Sequence, residues 1–403
     1  MNAAAGYGNP VGCESGGASA VQDFSVIVVG AGPAGCAAAY DLAEAGVSVL
    51  LLDRKAFPRL KPCAGALSIK AVKRLRYPIT PVIRWVARDL DVRLNGGGKR
   101  RFEGPDPIAV MTVRQEFDAY CLEQAIRKGA VFRKIGDLDE IGETEASVSV
   151  TLQNGQTLHC RYLIGADGAN SRVRRLLGYE TAPIALALEG NVPLPQCRDM
   201  PTMRFDFGYV PGGYGWVFPK GDSVNVGLYA HQPAVKLAKN DLLAYAKHAT
   251  GAETVEAMVG YPIALGGEFY DARHQRILLA GDAAGMSEPL LGEGIHNALV
   301  SGQAAARAVL AAVKDGKNAQ AEFRDAIYLT KRDLRACRIA AHWFYDLHFL
   351  GLARWFPIPR SKALMKGFAA GLTFREIMRN SLRSPAYTVH PIEAVTAFEH
   401  RAA

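Results

Sequence analysis

No Cys-x-x-Cys pair occurs among the seven cysteines, at positions 13, 36, 63, 121, 160, 197 and 337, and the nine histidines form no ligand cluster. A zinc site is therefore not expected. No stretch approaches the roughly 18 uninterrupted apolar residues of a membrane span. The first 22 residues are rich in Gly, Ala and Ser and have neither a basic nor an apolar block. They do not read as a secretory signal. They read instead as a disordered tail, with the fold beginning near Asp23. An odd cysteine count without such a signal fits a reducing cytoplasm, most thiols serving as small buried side chains. Charged residues make up only 21% against 49% hydrophobic, the composition of a globular chain. At 403 residues there is room for two or three domains and a large core.

The net charge of +8 is local. Between Lys331 and Arg383 eleven Lys and Arg stand against Asp333, Asp346 and Glu376, an excess that equals the whole-chain value. No recognition motif accompanies that charge, so nucleic-acid binding is not expected.

Near the start, Phe24 to Val29 is a β-branched apolar run, the pattern of a buried parallel strand. It leads into Gly30-Ala-Gly32-Pro-Ala-Gly35, an alanine-rich helical stretch closed by Gly46, and a second strand ending at Asp53. Gly30 permits the tight turn, Gly32 lets backbone approach a pyrophosphate, and Gly35 lets the helix lie close on the strands. The helix start supplies free N–H groups and a positive dipole for phosphate. Asp53, 23 residues after Gly30, is placed to accept ribose hydroxyls. This fingerprint alone does not separate FAD from NAD.

Two later turns choose between them. Tyr162-Leu-Ile-Gly-Ala-Asp167-Gly168 runs into Ser171-Arg172, and Arg276-Ile-Leu-Leu-Ala-Gly281-Asp282-Ala-Ala-Gly285 leads to a long helix expected over 294–313. An acid before a helix start can hold a ribityl hydroxyl while N–H groups face a phosphate. Asp167 is expected to shape its own turn. Together the three motifs resemble the FAD-dependent hydroxylases and reductases built on the para-hydroxybenzoate hydroxylase plan. The resemblance implies that Gly30, Gly32, Pro33, Ala34, Gly35, Asp53 and Arg54 bind the ADP half of FAD, and that Asp282 binds the ribityl-phosphate half. It also implies a role at the FAD for Arg114, in Val113-Arg114-Gln-Glu-Phe-Asp118; the alternative is a surface charge at a helix start.

Three further segments resemble the geranylgeranyl reductase branch. One is Lys61-Pro62-Cys63-Ala64-Gly65, with Ala64 where Gly is usual. The second is Tyr214-Gly-Trp216-Val-Phe218-Pro219 followed by Gly227-Leu-Tyr229, with Tyr229 where the last Gly often stands. Alternation sets Tyr214, Trp216 and Phe218 on one strand face, either a wall for a long apolar ligand or plain sheet core. The third is Pro289-Leu-Leu-Gly292-Glu293-Gly294-Ile295. Its Gly292 to Gly294 N–H groups are expected to face the flavin ring, with Ile295 beside it and His296 on a helix face rather than in catalysis.

The resemblance implies an FAD-dependent enzyme that reduces isolated C=C bonds of a polyprenyl lipid, diphosphate or quinone side chain, with Cys63 assisting protonation. The alternatives are an FAD monooxygenase or halogenase, and a flavoprotein that only binds or carries lipid or electrons. No second complete G-x-G-x-x-G is present, so the electron donor is expected to be a transiently bound NAD(P)H or a ferredoxin. The expected fold is α/β: a Rossmann-like FAD domain over 23–180 and 269–320, a mostly antiparallel β-sheet substrate domain over 181–268, and a helical, basic segment over 321–403. In that last segment Trp343, Phe344, Tyr345, Phe349, Trp355 and Phe356 lie among basic residues. This suits either a membrane surface or a helical cap packed on the other domains.

Overall fold

The computed structural model describes residues 24–94, 98–180, 183–346, 361–381 and 391–402. The expected N-terminal tail lies outside the described residues, as do Phe349, Trp355 and Phe356.

Phe24–Val29 is the buried central strand of a seven-stranded sheet. Val49–Asp53 pairs with it in parallel on one side and Thr157–Gly165 on the other. Val131–Lys134 extends the parallel layer beyond Val49–Asp53. Thr157–Gly165 has two further partners besides Phe24–Val29. Its first half, where exposed and part-buried positions dominate, pairs antiparallel with Val148–Leu152. Its second half, buried throughout, pairs in parallel with Ile277–Leu279. The switch falls where the strand becomes fully buried, as an apolar run allows.

The helix Pro33–Glu44 starts directly after Gly32 with proline in its first turn, where the missing N–H costs nothing. Its small residues let the long helix Ile295–Asp315 come very near. A Cβ on Gly302 would lie 2.1 Å from the Ala34 carbonyl oxygen, and one on Gly281 would lie 3.0 Å from the Ala34 methyl. The long helix begins at residue 295, not directly after Asp282, whose own turn is a short helical piece, Gly281–Ala284. The intervening loop folds back: a Cβ on Gly294 would sit 3.3 Å from Asp282 Oδ1.

The second sheet runs in the spatial order Glu256–Ala264, Ile184–Pro193, Ser223–Ala230, Gly213–Pro219, Met203–Phe207, Leu90–Leu94, Arg100–Phe102. It is antiparallel except between Met203–Phe207 and Leu90–Leu94. The mostly antiparallel sheet is therefore present, but the boundaries 181–268 are too narrow. Leu90–Leu94 and Arg100–Phe102, expected in the FAD domain, belong to it because Leu90, Val92 and Phe102 pack into its aromatic core. A small sheet of Ala66–Ser68, Ala109–Thr112 and Ile83–Ala87 lies between the layers in sequence.

The C-terminal part is helical, as expected. Ala319–Ala341 packs on Ile295–Asp315, and Ser361–Ala370, Phe374–Ser381 and Glu393–Ala402 pack on neighbouring elements. Met365, Ala369 and Ile377 are buried, and Thr80 Oγ1 donates to the Ala394 carbonyl at 3.2 Å. These helices cap the protein.

The contact at Gly302 is a direct test of this packing. Gly302→Ala is expected to destabilise the protein by about 1–3 kcal/mol, the cost of overpacking a close backbone contact. Gly104, whose Cβ would meet nothing within 4 Å, is the control: Gly104→Ala should leave stability nearly unchanged. Denaturant unfolding of both variants checks this.

Candidate functional site

The three fingerprint glycines have different reasons to be glycine. Gly30 adopts φ 102°, and a Cβ there would lie 2.3 Å from the Ala166 carbonyl oxygen. A Cβ on Gly35 would meet the Gly30 carbonyl oxygen at 1.8 Å. The fold itself therefore requires both. Gly32 is different: its φ is −82°, which any residue adopts, and only Arg59 Nη2, at 3.7 Å, is near its missing Cβ. Gly32 thus lines a cradle that a side chain would fill and that the protein leaves open beside a helix N-terminus.

Asp53 closes one end of this cradle. Its Oδ2 accepts the Ala31 N–H at 2.8 Å and its Oδ1 accepts the Lys55 N–H at 2.8 Å. Each oxygen retains a lone pair for a hydroxyl. Pro33 is buried at the helix start, while the Ala34 side chain is taken up by the contact with Gly281. Arg54 turns to the sheet edge, half-exposed and 3.4 Å from Asp137. The arginine that the fold brings to the glycines is Arg59, which sequence reasoning missed because only the tertiary fold carries it there.

Arg59 Nη2 lies 3.2 Å from Asp118 Oδ2. Arg114 grips the same carboxylate through two bonds of 2.7 and 2.9 Å. Arg114 is buried, so it is not a surface charge at a helix start. Burial alone would lower its pKa, but Asp118 and then Cys63 hold it well above its ordinary value. Two guanidinium groups share one carboxylate here, which leaves surplus positive charge near Gly32. An open glycine cradle, a helix start, an acid with spare acceptors and that surplus cation fit a dinucleotide pyrophosphate. Asp167 does shape its turn: it accepts from Ser171 Oγ at 2.5 Å and from the N–H groups of Arg172 and Val173 at 2.6 and 3.1 Å.

Around residues 288–295 the structure corrects the expectation. Glu288 is buried, and its carboxylate accepts the N–H groups of Leu290, Leu291 and Glu293 at 2.8, 2.5 and 3.3 Å. The Gly292 N–H goes to the Glu288 carbonyl at 3.0 Å. The N–H groups of Gly292 and Glu293 are thus committed within the loop rather than turned to a flavin. Gly292 is needed for its φ of 72° and because a Cβ would press on the Tyr229 ring at 3.1 Å. Three tyrosine hydroxyls hold the other side of the loop: Tyr229 donates to the Pro289 carbonyl, Tyr345 to that of Leu290 and Tyr214 to that of Leu291.

The start of the long helix is equally tied down. Asp282 Oδ1 accepts from Ser287 Oγ at 2.8 Å, and Ile295 is buried in the main core. Glu293 takes Lys70 at 2.7 Å and the Ser68 hydroxyl. His296, on the first turn of the long helix, is buried. Burial, and then the nearby Lys70, push its pKa down to about 4. Ser68, Lys70 and Glu288 carry no motif, so nothing in the sequence marked them.

Tyr214, Trp216 and Phe218 do share one face, all buried in an aromatic cluster with Phe205 and Tyr229. Tyr229 stacks on Tyr214, ring centroids 4.9 Å apart, and occupies the room a glycine there would leave. Trp216 Nε1 donates to Asn225 Oδ1 at 2.7 Å, and its ring lies so close to Gly227 that a Cβ would be 2.0 Å from it. Cys63 packs against the main core. It is part-exposed, interacts with Arg114, and its Sγ accepts the Gly65 N–H at 3.4 Å.

Because the Gly32 cradle is open, Gly32→Ala should leave the stability of the FAD-free protein within about 1 kcal/mol, as an unstrained alanine beside a helix start costs little. FAD affinity should fall at least about tenfold, since the methyl displaces the pyrophosphate from the backbone. Thermal unfolding and FAD titration by flavin fluorescence measure the two effects separately.

The chain has relatives of known kind. The family model described as Lycopene cyclase protein matches residues 25–210. An uncharacterized protein of Methanosarcina barkeri is 34% identical over 298 residues, 73% of this chain and 77% of that one. The geranylgeranyl diphosphate reductase of Rhodobacter capsulatus is 32% identical over 327 residues, 76% of this chain and 80% of that one. Among solved structures, a geranylgeranyl bacteriochlorophyll reductase-like protein of Thermoplasma acidophilum superposes with a TM-score of 0.72 at 21% identity, covering 94% of this chain and 99% of the other. With the FAD-type cradle in place and relatives of this similarity over most of its length, the chain belongs to the geranylgeranyl reductase family of FAD-dependent oxidoreductases, which act on carbon–carbon double bonds.

Proposed function

We propose that the protein reduces isolated double bonds of a polyprenyl chain carried by a lipid, a diphosphate or a quinone. The observation that carries this reading is the tie of Cys63 to the sheet that bears Tyr214, Trp216 and Phe218: its N–H donates to Glu189 at 2.7 Å and its carbonyl faces Lys220 at 3.5 Å. When bound and reduced, FAD supplies the hydride for one alkene carbon. The second carbon needs a proton, and the Cys63 thiol is the group we assign to hold it. Gly30, Gly32, Asp53, Arg59 and Arg114 bind and orient the ADP and pyrophosphate part, and Asp282 the ribityl part. The aromatic face excludes water and aligns an apolar chain, which an unactivated alkene requires. The relative from Rhodobacter capsulatus is named for a geranylgeranyl diphosphate substrate, which supports this class of ligand. NAD(P)H or a ferredoxin is the proposed electron donor.

Mass spectrometry of isoprenoid lipids incubated with the FAD-loaded, reduced protein tests the reading. Products heavier by pairs of hydrogen atoms are expected. Cys63→Ser should keep its flavin and lose turnover by about 10²-fold, the usual loss when a positioned acid is removed. Unchanged turnover in Cys63→Ser would remove the assigned role, and a hydroxylated or halogenated product would replace the reductase reading altogether.

We further propose that the protein works at the inner face of a membrane. No helix among the described residues is long and apolar enough to cross one. The helix Ala319–Ala341 and the turn after it expose Tyr328, Leu329, Arg332, Arg335, Ile339 and Trp343. Tyr328, Arg332, Arg335, Ile339 and Trp343 recur at spacings of three and four, so they share one face. Apolar and aromatic side chains among arginines suit an anionic lipid surface. Co-sedimentation with phosphatidylglycerol vesicles should drop several-fold in a Trp343→Ala, Arg332→Ala, Arg335→Ala variant and in high salt. Equal binding by parent and variant would contradict this.

A further inference from the structure

We propose that Glu189 and Lys220, which lie in neither the glycine fingerprint nor the Cys63 segment, are positioning residues that clamp the peptide of Cys63 from the substrate-side sheet. The inference rests on the role assigned to Cys63 above. Glu189 stands in the middle of Ile184–Pro193, at 5% exposure, and Lys220 directly follows Gly213–Pro219, at 8%. Glu189 Oε1 accepts the Cys63 N–H at 2.7 Å, and Lys220 Nζ approaches the Cys63 carbonyl oxygen at 3.5 Å. An anion therefore takes the donor of Cys63, and a cation takes its acceptor.

Both groups are costly where they are. A carboxylate and an ammonium buried in a sheet are worth less to stability than apolar residues of the same size, unless their charge is used. Burial pushes the Glu189 carboxyl up, and Lys220, the Cys63 N–H and Tyr261 oppose that shift. Tyr261 donates to Oε2 at 3.2 Å, and Lys61 lies over the Tyr261 ring, 5.6 Å from its centre. On the far side of Cys63, Gly65 is fixed by a φ of 75° and by the Thr112 N–H and hydroxyl, which both donate to its carbonyl at 2.9 Å. A Cβ on Gly65 would lie 2.0 Å from the Thr112 carbonyl oxygen. The backbone around Cys63 is therefore held on two sides. The clamp comes from the sheet that bears the aromatic face, so it also sets the distance from the thiol to whatever that face aligns.

The test uses the FAD-loaded protein and two readouts. The first is the rate at which iodoacetamide alkylates Cys63, followed by peptide mass spectrometry. The second is the kcat and KM for geranylgeranyl diphosphate. Glu189→Leu and Lys220→Met are expected to speed Cys63 alkylation and lower kcat, each by at least about tenfold, as expected of a reacting group displaced by about an ångström. KM should stay within about twofold, since ground-state binding is untouched. Glu189→Gln and Lys220→Arg, which keep an acceptor and a cation, should restore most of both. If Glu189→Leu does not retain FAD, Lys220→Met carries the same test from the other end of the clamp. Folded variants that alkylate and turn over like the parent overturn the proposal. Faster alkylation in Glu189→Leu, together with full turnover in Cys63→Ser, would instead uphold the clamp and refute the role given to the thiol.

Discussion

The near contact between the helices Pro33–Glu44 and Ile295–Asp315 is the constraint on which the site depends. Gly302 lets the long helix settle against the Ala34 carbonyl, and Gly281 fits against the Ala34 methyl. A Cβ on Gly302 would collide with that carbonyl, and one on Gly281 would crowd the methyl. Because the helices touch there, two segments some 250 residues apart in sequence, Gly30–Gly35 and Gly281–Gly294, open toward one place. One contributes a helix start and an open glycine. The other contributes Asp282 and the loop from Glu288 to Glu293. The cofactor cradle is a consequence of helix packing as much as of the fingerprint itself.

A second contact joins this cradle to the antiparallel sheet. The loop Pro289–Leu291 is held from within by the Glu288 carboxylate and from outside by three tyrosine hydroxyls. Two of those tyrosines, Tyr214 and Tyr229, belong to the sheet, and Tyr345 belongs to the segment after the helix Ala319–Ala341. Cofactor domain, antiparallel sheet and C-terminal cap thus meet on three consecutive carbonyls. Buried polar groups satisfied this fully rigidify a site. The backbone of Cys63 is held from the same sheet, by Glu189 and Lys220.

Much of this was legible in the sequence, and what was not has a physical pattern. The strand Phe24–Val29, the turn at Gly30, the acid at Asp53 and the shared face of Tyr214, Trp216 and Phe218 are local consequences of periodicity and backbone geometry. They appear in the structure where expected. The alternation Leu90-Asp-Val-Arg-Leu94 is equally readable as a strand, but which sheet it joins depends on non-local packing of Leu90 and Val92. The same holds for Arg59 replacing Arg54 beside the glycines, for Glu288 taking the N–H groups expected to face the ring, and for Lys70 and Ser68 on Glu293. Apart from Glu288, whose partners are two to five residues away in an irregular loop, each is a charged or polar group whose partner lies far along the chain, at a distance no spacing rule encodes. His296, expected on a helix face, stands on the first turn of the long helix and is buried near Lys70.

The central claim is that this arrangement delivers reducing equivalents to a carbon–carbon double bond. Its most direct test is anaerobic: reduce the bound flavin with dithionite, remove the excess, add geranylgeranyl diphosphate and follow the flavin absorbance. Return of the oxidised flavin spectrum, one flavin for each double bond saturated, is the predicted result. Flavin that stays reduced until oxygen is admitted, with the prenyl chain unchanged, would contradict it.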